Sequence, residues 1–251
     1  MDFSNKYVLG FTLAICLAAS GAVASIADVL SERIDRNQIL DQQRQVIRVA
    51  GLVAADDPLP EEKVAQLFQS IEGRVIDRKT GEILSDLSVE DIDPIKMAKD
   101  PGASEATPAE FKLAQVARLP EQLEVFEVKA EGKECIVLPI HGKGLWSTMY
   151  GYLAVEPGGA KVKGITFYDH GETPGLGGEI DNKKWQAGWK DLSVYGADGK
   201  VKLGVVKSGA QRDQDFQVDG LAGATITSKG VDATVKLWLG SAGYGPYLAK
   251  N

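Results

Sequence analysis

The 251-residue sequence is poor in the side chains that build disulfide frameworks and metal centres, with only two cysteines and two histidines. Cys16 lies in an apolar run and Cys135 lies in a predicted strand, so we expect no disulfide between them. His141 and His170 are far apart in sequence, and neither belongs to a CxxC, HxxxH or paired-acid pattern. The sequence therefore predicts no zinc or iron site.

Clustered positive charge is also lacking. The chain has 28 Lys plus Arg against 35 Asp plus Glu, a net charge of −7, and the basic residues are scattered. This pattern argues against a nucleic-acid partner. The sequence has no nicotinamide-nucleotide fingerprint, no phosphate-binding P-loop and no iron–sulfur cysteines, so the chain by itself has no NADH site. An apolar fraction of 44% with 25% charged residues is typical of a globular protein with a core.

A long uncharged run is present near the N-terminus. Residues 7–27, "YVLGFTLAICLAASGAVASIA", carry no charged side chain, and about 20 apolar residues are enough for a membrane-spanning helix. The alternative is a cleaved signal peptide, because Ala22-Val23-Ala24 has the small-x-small pattern of a cleavage site. The segment before the run is a poor signal-peptide start, with Lys6 offset by Asp2. We therefore favour a retained anchor.

The charges that flank this run do not agree with export. Arg33, Arg36, Arg44 and Arg48 follow the run, and Lys6 alone precedes it. A positive-inside count therefore predicts that the following domain is cytoplasmic. Large domains translocate largely regardless of this bias, so the count alone does not decide the topology.

The chain after the anchor begins with helical patterns. Apolar residues among charges predict a helix over residues 31–50, and a Pro-bracketed loop precedes a second helix over residues 61–71. The turn signal at residues 79–81 separates two short β-favouring pieces. Residues 94–120 contain three prolines besides Pro94 at their start and predict irregular structure with one short helix at 109–117.

The pattern then changes to short strands separated by Gly-containing turns, which predicts an antiparallel sheet. The predicted strands are residues 123–129, 134–140, 147–155 and 161–168. A short helix at 183–189, a strand at 202–207 and a closing helix at 227–239 follow. The fold class is α+β. We divide the chain into a membrane anchor (1–30), a stalk helix with an α/β region (31–120), and a third domain (121–251).

Three stretches could carry chemistry. The loop "HGETPGLGGEI", residues 170–180, has four glycines that allow backbone amides to approach a ligand, although it is equally consistent with a tight turn. Trp146, Tyr150 and Tyr152 lie in a predicted strand, where they could cover a flat cofactor but are expected by default to fill the core. The third stretch is "DGLAGATITSKG", residues 219–230, which places glycine and alanine, residues with little or no side chain, before a predicted helix start.

At that helix start, unpaired N–H groups and the helix dipole favour a negative group such as phosphate. Thr225 could hold such a group. On local physics alone, the more ordinary interpretation is that Thr225, Thr227 or Ser228 is an N-cap.

These stretches, in this order, resemble those of the C subunit of the bacterial Na+-translocating NADH:quinone oxidoreductase and, more distantly, of the G subunit of the Rnf electron-transport complex. The motifs are "GKGLWSTMYGYLAV", "GETPGLGGEI" and "GATITS". The resemblance implies that residues 121–251 form an FMN-binding domain. It also implies that the phosphate of FMN is esterified to the threonine that matches the motif, which is Thr225.

The resemblance further implies which residues surround the flavin. Besides Thr225, the candidates for FMN contact are Trp146, Thr148, Glu172, Thr173, Gly175, Leu176, Gly177, Gly223, Ala224 and Thr227. Asp219 matches the acidic start of the stretch that a flavin transferase reads when it attaches FMN. The family commonly has Ser or Thr where this chain has Ala222, which raises the question of how efficiently the transferase recognises it.

The function implied is that of an electron-transfer subunit in a sodium-pumping NADH:quinone oxidoreductase. The partners implied are the other subunits, the flavin transferase and membrane lipid. The location implied is the bacterial inner membrane, with one transmembrane pass and a periplasmic soluble domain. Two alternatives remain: an anchored, flavin-free assembly or binding module, and a freestanding flavoprotein released after Ala24.

Overall fold

A computed structural model describes residues 4–54 and 57–251, apart from the side chains of Glu32 and Asp35. The chain divides into two compact units, one up to Gln43 and one from Arg44 to Asn251. Helix α1 (Asn5–Val49) accounts for most of the first unit and confirms the helix predicted at 31–50. Its segment Asn5–Ser31 has a mean hydropathy of 2.0 and is long and apolar enough to cross a membrane.

The second unit is built from short helices and strands. In chain order they are α2 (Glu61–Phe68), β1 (Ile71–Asp77), α3 (Pro94–Met97), β2 (Ser104–Ala106), β3 (Arg118–Pro120), β4 (Gln122–Val128), β5 (Cys135–Lys143), β6 (Thr148–Val155), β7 (Val162–Asp169), α4 (Lys183–Ala187), β8 (Gly204–Val206), β9 (Gln217–Asp219), α5 (Thr225–Leu239) and α6 (Gly245–Leu248). The mixture confirms the α+β fold class. The division into domains at residue 120 stays a prediction.

The main sheet has five strands in the order β1-β4-β5-β6-β7, and every neighbouring pair is antiparallel. The four strands predicted after residue 120 are confirmed, with ends that differ by at most three residues. The predicted helix at 61–71 is too long. It ends at Phe68 because Ile71 is buried and pairs with Val128 in the sheet.

Helix α5 packs against the core face of this sheet, where Leu138, Leu153 and Ile165 point. Two glycines allow the close approach: a methyl group on Gly142 would collide with Thr234 of α5, and one on Gly230 would collide with the Lys143 carbonyl of β5. Successive side chains of a strand point to opposite faces. The C-terminal end of α1 covers the other face, where Gly164 meets the Val49 backbone.

Strands β4 and β5 pair only at one end, over Phe126–Val137 to Val128–Cys135. Beyond that point, side chains from the C-terminal region bind the carbonyls along β5. The Trp238 indole donates to the His141 carbonyl at 2.6 Å, and the Tyr244 hydroxyl donates to the Pro139 carbonyl at 2.9 Å. These two side chains cover the edge of β5 that β4 leaves unpaired. They give the His141 and Pro139 carbonyls the hydrogen-bond donors that buried backbone groups require.

The remaining differences from the sequence-based expectation concern short elements. The helix predicted at 109–117 is a 3₁₀ helix, Ala109–Ala114, because it lies between the antiparallel strands β2 and β3, which the sequence did not reveal. Strand β8 lies within the predicted 202–207 segment and pairs in parallel with β9. The short helix predicted at 183–189 is present as α4, and its Trp185 packs edge-on against Trp189 at 5.5 Å between ring centroids.

Candidate functional site

Thr225 is the first residue of helix α5 and is exposed to solvent. The helix begins two residues earlier than predicted and Ala224 precedes it, so the interpretation of Thr225, Thr227 or Ser228 as its N-cap is wrong. The N-cap is Ala224, whose side chain has no acceptor, and no side-chain capping bond is present. The first turn of α5, which begins at Thr225, therefore has no side-chain cap.

The backbone around Thr225 leaves hydrogen-bond donors available. The first N–H groups of a helix have no partner within the helix. Those of Thr225, Ile226 and Thr227 find no other acceptor within residues 4–54 and 57–251. The Ser228 hydroxyl is used elsewhere, since it accepts from the Leu221 N–H at 2.9 Å. An anion at Thr225 would meet these free N–H groups and the positive end of the helix dipole.

Behind this helix start lies a buried carboxylate. Thr227 is 1% exposed and Glu172 is 5% exposed, and the Thr227 hydroxyl donates to Glu172 Oε2 at 2.5 Å. The backbone N–H groups of three consecutive residues also donate to this carboxylate. They are Leu145 to Oε2 at 3.2 Å, Trp146 to Oε1 at 2.8 Å and Ser147 to Oε1 at 3.3 Å. Glu172 therefore joins the β5–β6 turn, the glycine loop and α5.

Burial acts to raise the pKa of Glu172, but its hydrogen bonds from Thr227 and from the three backbone N–H groups act to lower it. The hydrogen bonds outweigh the effect of burial, and the pKa of Glu172 lies below its ordinary value. All four donors are neutral groups. The carboxylate is thus held as an anion near neutral pH by dipoles alone.

Two glycines leave room for this carboxylate. A Cβ on Gly144 would lie 2.5 Å from Glu172 Oε1. A Cβ on Gly177 would lie 2.6 Å from Thr227 Oγ1 and 2.7 Å from Glu172 Oε2. Neither glycine has a positive φ, so the need for glycine here comes from space rather than from backbone conformation.

The residues in front of this carboxylate are exposed. The side chain of Trp146 is 65% exposed, and its indole donates to the Thr173 hydroxyl at 3.1 Å. Leu176 is 44% exposed and approaches the loop before Thr225, because a Cβ on Gly223 would lie 3.0 Å from Leu176 Cδ2. The β5–β6 turn, the glycine loop and the helix start thus present one group of accessible side chains.

The predicted contact residues therefore fall into two layers. The outer, exposed layer contains Trp146, Thr173, Gly175, Leu176, Gly223 and Thr225. The inner, buried layer contains Glu172, Gly177, Ala224 and Thr227, and Thr148 is half-buried at the start of β6. The structure thus gathers the predicted residues into one region of the second unit. Whether each of them contacts FMN stays a prediction.

Sequence reasoning missed three participants in this region. Leu145 and Ser147 act through their backbone N–H groups, which leave no mark on the residue type. Ile226 is 54% exposed next to Thr225, and an apolar residue at an exposed position of a helix start is a weak signal that was available. Trp146 itself lies in the turn before β6 and not in the strand as predicted, whereas Tyr152 is buried in the sheet.

A groove of about 670 Å³ adjoins the site. It shares Gly220, Leu221 and Ala222 with the loop before Thr225, and Gly175 with the glycine loop. Lys184, Trp185 and Arg212 also line it, together with Asp219, whose carbonyl accepts from the Trp185 indole at 2.8 Å. A larger groove of about 920 Å³ contains none of the predicted site residues.

The two histidines have separate structural roles. His170 Nε2 lies 2.9 Å from a carboxylate oxygen of Asp181, and its other ring nitrogen accepts from the Glu172 N–H at 3.2 Å. His141 packs against Trp238 with 4.8 Å between ring centroids, and burial lowers its pKa to about 4. Among the residues that the structure describes, no three His, Cys, Asp or Glu side chains form a group able to hold a metal ion.

Comparison with known proteins identifies the region of the site as a recognised domain type. Residues 144–240 match the family model described as "FMN-binding domain". This range includes every predicted contact residue, from Trp146 to Thr227.

Curated relatives resemble the chain over nearly its whole length. It is 40% identical over 251 residues to the C subunit of the Na(+)-translocating NADH-quinone reductase of Pseudomonas aeruginosa, covering 98% of this chain and 95% of that protein. It is 41% identical over 249 residues to the corresponding protein of Vibrio vulnificus, with the same shares of each chain.

Solved structures agree with this similarity. The crystal structure of NqrC from Shewanella oneidensis matches with a TM-score of 0.74 and 33% sequence identity, covering 84% of this chain and 95% of that one. The crystal structure of the C subunit of the Na(+)-translocating NADH-quinone reductase from Parabacteroides distasonis matches with a TM-score of 0.68 and 26% identity, covering 87% and 96%.

Proposed function

The chain belongs to the family of C subunits of the Na(+)-translocating NADH-quinone reductases, and from this we propose that it relays electrons through FMN attached by its phosphate to the Thr225 hydroxyl. Membership makes it a membrane-anchored flavoprotein subunit of a multisubunit translocase. The covalent bond, its acceptor residue and the place of this flavin in the electron path are our proposals.

The observation that carries the proposal is the exposed Thr225 hydroxyl at the first position of α5. A phosphoester there lies where the free N–H groups of the first helical turn can donate to its oxygens. A flavin ring also needs a flat, mostly apolar wall. The exposed side chains of Leu176, which approaches Gly223, and of Ile226, which follows Thr225, supply apolar surface close to the acceptor. The exposed ring of Trp146 adds to it on the turn that Glu172 binds, so the residues present fit the group.

In this proposal the protein binds and the cofactor carries the redox chemistry. Bound FMN supplies the reversible electron acceptance of its isoalloxazine ring. The chain contributes the acceptor hydroxyl, the donors of the helix start, and a covalent link that prevents loss of the cofactor. Because the sequence contains no nicotinamide fingerprint and no iron–sulfur cysteines, electrons are exchanged with other subunits.

The same premise extends to attachment and location. We propose that a flavin transferase recognises the stretch that begins at Asp219 and includes Ala222. Both of these residues are exposed and line the 670 Å³ groove. We also propose that the segment Asn5–Ser31 anchors the chain in the lipid of the inner membrane, with the second unit in the periplasm. Protease accessibility in intact spheroplasts tests this orientation.

The test of the acceptor is a denaturing gel of the protein from its native membrane, viewed under ultraviolet light. Covalent flavin remains with the band and fluoresces. We expect Thr225→Val to lose the fluorescence and Thr225→Ser to retain it, because serine keeps a hydroxyl. Peptide mass spectrometry must then find FMN on the peptide that contains Thr225. A Thr225→Val protein that still carries one attached FMN contradicts the assignment.

The two alternative functions give different results in the same preparation. A flavin-free assembly module shows no fluorescent band in the unsubstituted protein. A secreted flavoprotein shows the band together with an N-terminus that begins after Ala24. We expect the band, an intact N-terminus, and a loss of NADH-dependent quinone reduction when Thr225→Val membranes contain the assembled complex.

A further inference from the structure

We propose that Glu172 is a positioning residue, a buried anion that holds the turn containing Trp146 against the N-terminal turn of α5. Through these contacts it determines the position of the flavin and the electrostatic surroundings of its ring. The proposal rests on the function proposed above. It differs from the sequence-based expectation, which placed Glu172 among the residues that contact FMN. The side chain is 5% exposed and its oxygens point inward, toward donors of the protein itself.

The backbone of the turn before β6 is directed toward Glu172. Three consecutive backbone N–H groups, from Leu145 to Ser147, converge on one carboxylate. With the backbone of this turn directed inward, the side chains of Leu145 and Trp146 are left 43% and 65% exposed. The indole of Trp146 then reaches the hydroxyl of Thr173, the residue that follows Glu172. The direction of the exposed indole thus depends on the buried carboxylate.

Glu172 also connects this turn to the helix start that carries Thr225. The fourth donor to Glu172 is the hydroxyl of Thr227, two residues after Thr225 in the same helical turn. Two oxygens of one side chain therefore fix the Trp146 turn and the helix start relative to each other. Gly144 and Gly177 lack a Cβ where that side chain passes.

Glu172 also places a negative charge behind the exposed side chains of the site. The four donors to Glu172 are all neutral, so no cation binds its carboxylate directly. The Lys143 ammonium, at the end of β5, donates to the Trp146 carbonyl at 3.0 Å, and not to Glu172. In a buried setting a charge acts strongly on its neighbours. A negative charge beside a flavin disfavours the addition of an electron, and groups behind the direct contacts of a redox centre tune its potential in this way.

The first experiment uses flavin-free protein, produced without the transferase, and measures hydrogen exchange of the amides at residues 145–147. We expect Glu172→Gln to accelerate this exchange about tenfold or more, because the amide replaces one acceptor oxygen with a donor. Amides of α5 beyond its first turn serve as the internal reference for global stability. Unchanged exchange at residues 145–147 overturns the proposal.

A conservative pair tests the link to the helix start. Thr227→Val removes the hydroxyl donor at nearly constant volume, and Thr227→Ser keeps it. The Leu145 amide and the Thr227 hydroxyl donate to the same oxygen, Glu172 Oε2. We expect the Leu145 amide to exchange faster in Thr227→Val. In Thr227→Ser we expect its exchange rate to stay close to that of the unsubstituted protein. Equal exchange in the two variants contradicts the coupling.

The second experiment uses flavin-loaded protein and measures the midpoint potential of the attached flavin by redox titration. We expect a shift to more positive potential in Glu172→Gln. Thr227→Val keeps the charge and is expected to shift it less. Glu131→Gln, which removes one charge from an exposed turn, is the matched control and should leave it unchanged. An unshifted potential in Glu172→Gln, or an equal shift in Glu131→Gln, overturns the proposal.

The two arms separate this inference from the proposed function. If no flavin is attached to Thr225, the fluorescent band of the unsubstituted protein is missing or survives in Thr225→Val. The exchange experiment does not depend on the flavin and still reports on Glu172. If the flavin is attached but Glu172→Gln changes neither its midpoint potential nor the hydrogen exchange at residues 145–147, the proposed function stands and the inference fails.

Discussion

The hydroxyl of Thr227 donates a 2.5 Å hydrogen bond to the carboxylate of Glu172, a residue 55 positions earlier in the chain. Both side chains are buried, and both belong to stretches whose neighbours are exposed at the candidate site. The bond links the interior of the helix start to the interior of the glycine loop.

Methyl groups at two glycines should disturb the Glu172 carboxylate. We expect Gly144→Ala and Gly177→Ala each to lower the free energy of unfolding by about 1–3 kcal/mol, since an added methyl group forces its neighbours apart. Gly102→Ala is the control, because its Cβ would lie at an ordinary 3.4 Å from the nearest atom. Chemical denaturation of the three variants measures the difference. A Gly177→Ala protein as stable as Gly102→Ala is inconsistent with the geometry.

Glu124 should make the protein less stable as the pH rises. Burial and, secondarily, the charge of Asp93 raise its pKa to about 7. The unfolded chain releases this proton at lower pH than the folded chain does, so stability falls between about pH 4.5 and pH 7 and levels off above that. Glu172, whose pKa is lowered, acts in the opposite sense and loses its stabilising effect only on acidification.

The measurement is the free energy of unfolding at intervals from pH 4.5 to 8.5. Glu124→Gln should flatten the decline, whereas the exposed neighbour Glu121→Gln should retain it. Besides Asp93, the titratable groups that interact with Glu124 include Tyr152, Tyr168 and Tyr244. Burial raises the pKa of each tyrosine, so the three tyrosines stay neutral throughout this range. An identical decline in Glu124→Gln would assign it to another group.

Arg78 should be a main tertiary contact of the C-terminal segment. It is 5% exposed and donates to the carbonyls of Pro120 at 2.7 Å and Ala242 at 3.0 Å, and to Glu105 at 3.0 Å. We expect Arg78→Met to destabilise the protein by about 3 kcal/mol, because buried acceptors lose their donors. Lys79 binds the same Glu105 but is exposed, so Lys79→Met should cost about 1 kcal/mol or less. Thermal or chemical denaturation compares them.

Ala222 should limit flavin attachment without affecting stability. It is exposed in the loop before Thr225, and the resemblance stated above implies a hydroxyl residue at this position. We expect Ala222→Ser to increase the rate at which the transferase attaches FMN, followed as fluorescent band against time. Ala210→Ser, which adds a hydroxyl to an exposed loop elsewhere, should not change the rate. Equal rates in all three proteins would show that position 222 is not read.

The sequence by itself determined the elements and the region of the site. Hydrophobic periodicity and turn residues act locally, so the antiparallel strands, α5 and the apolar segment near the N-terminus could be predicted within a few residues. The three motifs that resemble those of the family indicated which loops surround Thr225. Residue type did not distinguish Trp146, which is exposed, from Tyr152, which is buried.

Only the tertiary structure decided which residues face inward. The helix start at Thr225, the burial of Glu172 and its bond to Thr227 depend on contacts between segments far apart in sequence. The donors from Leu145 and Ser147 are backbone groups, which every non-proline residue possesses. Long-range packing brings these groups together, and no local pattern of residue types records it.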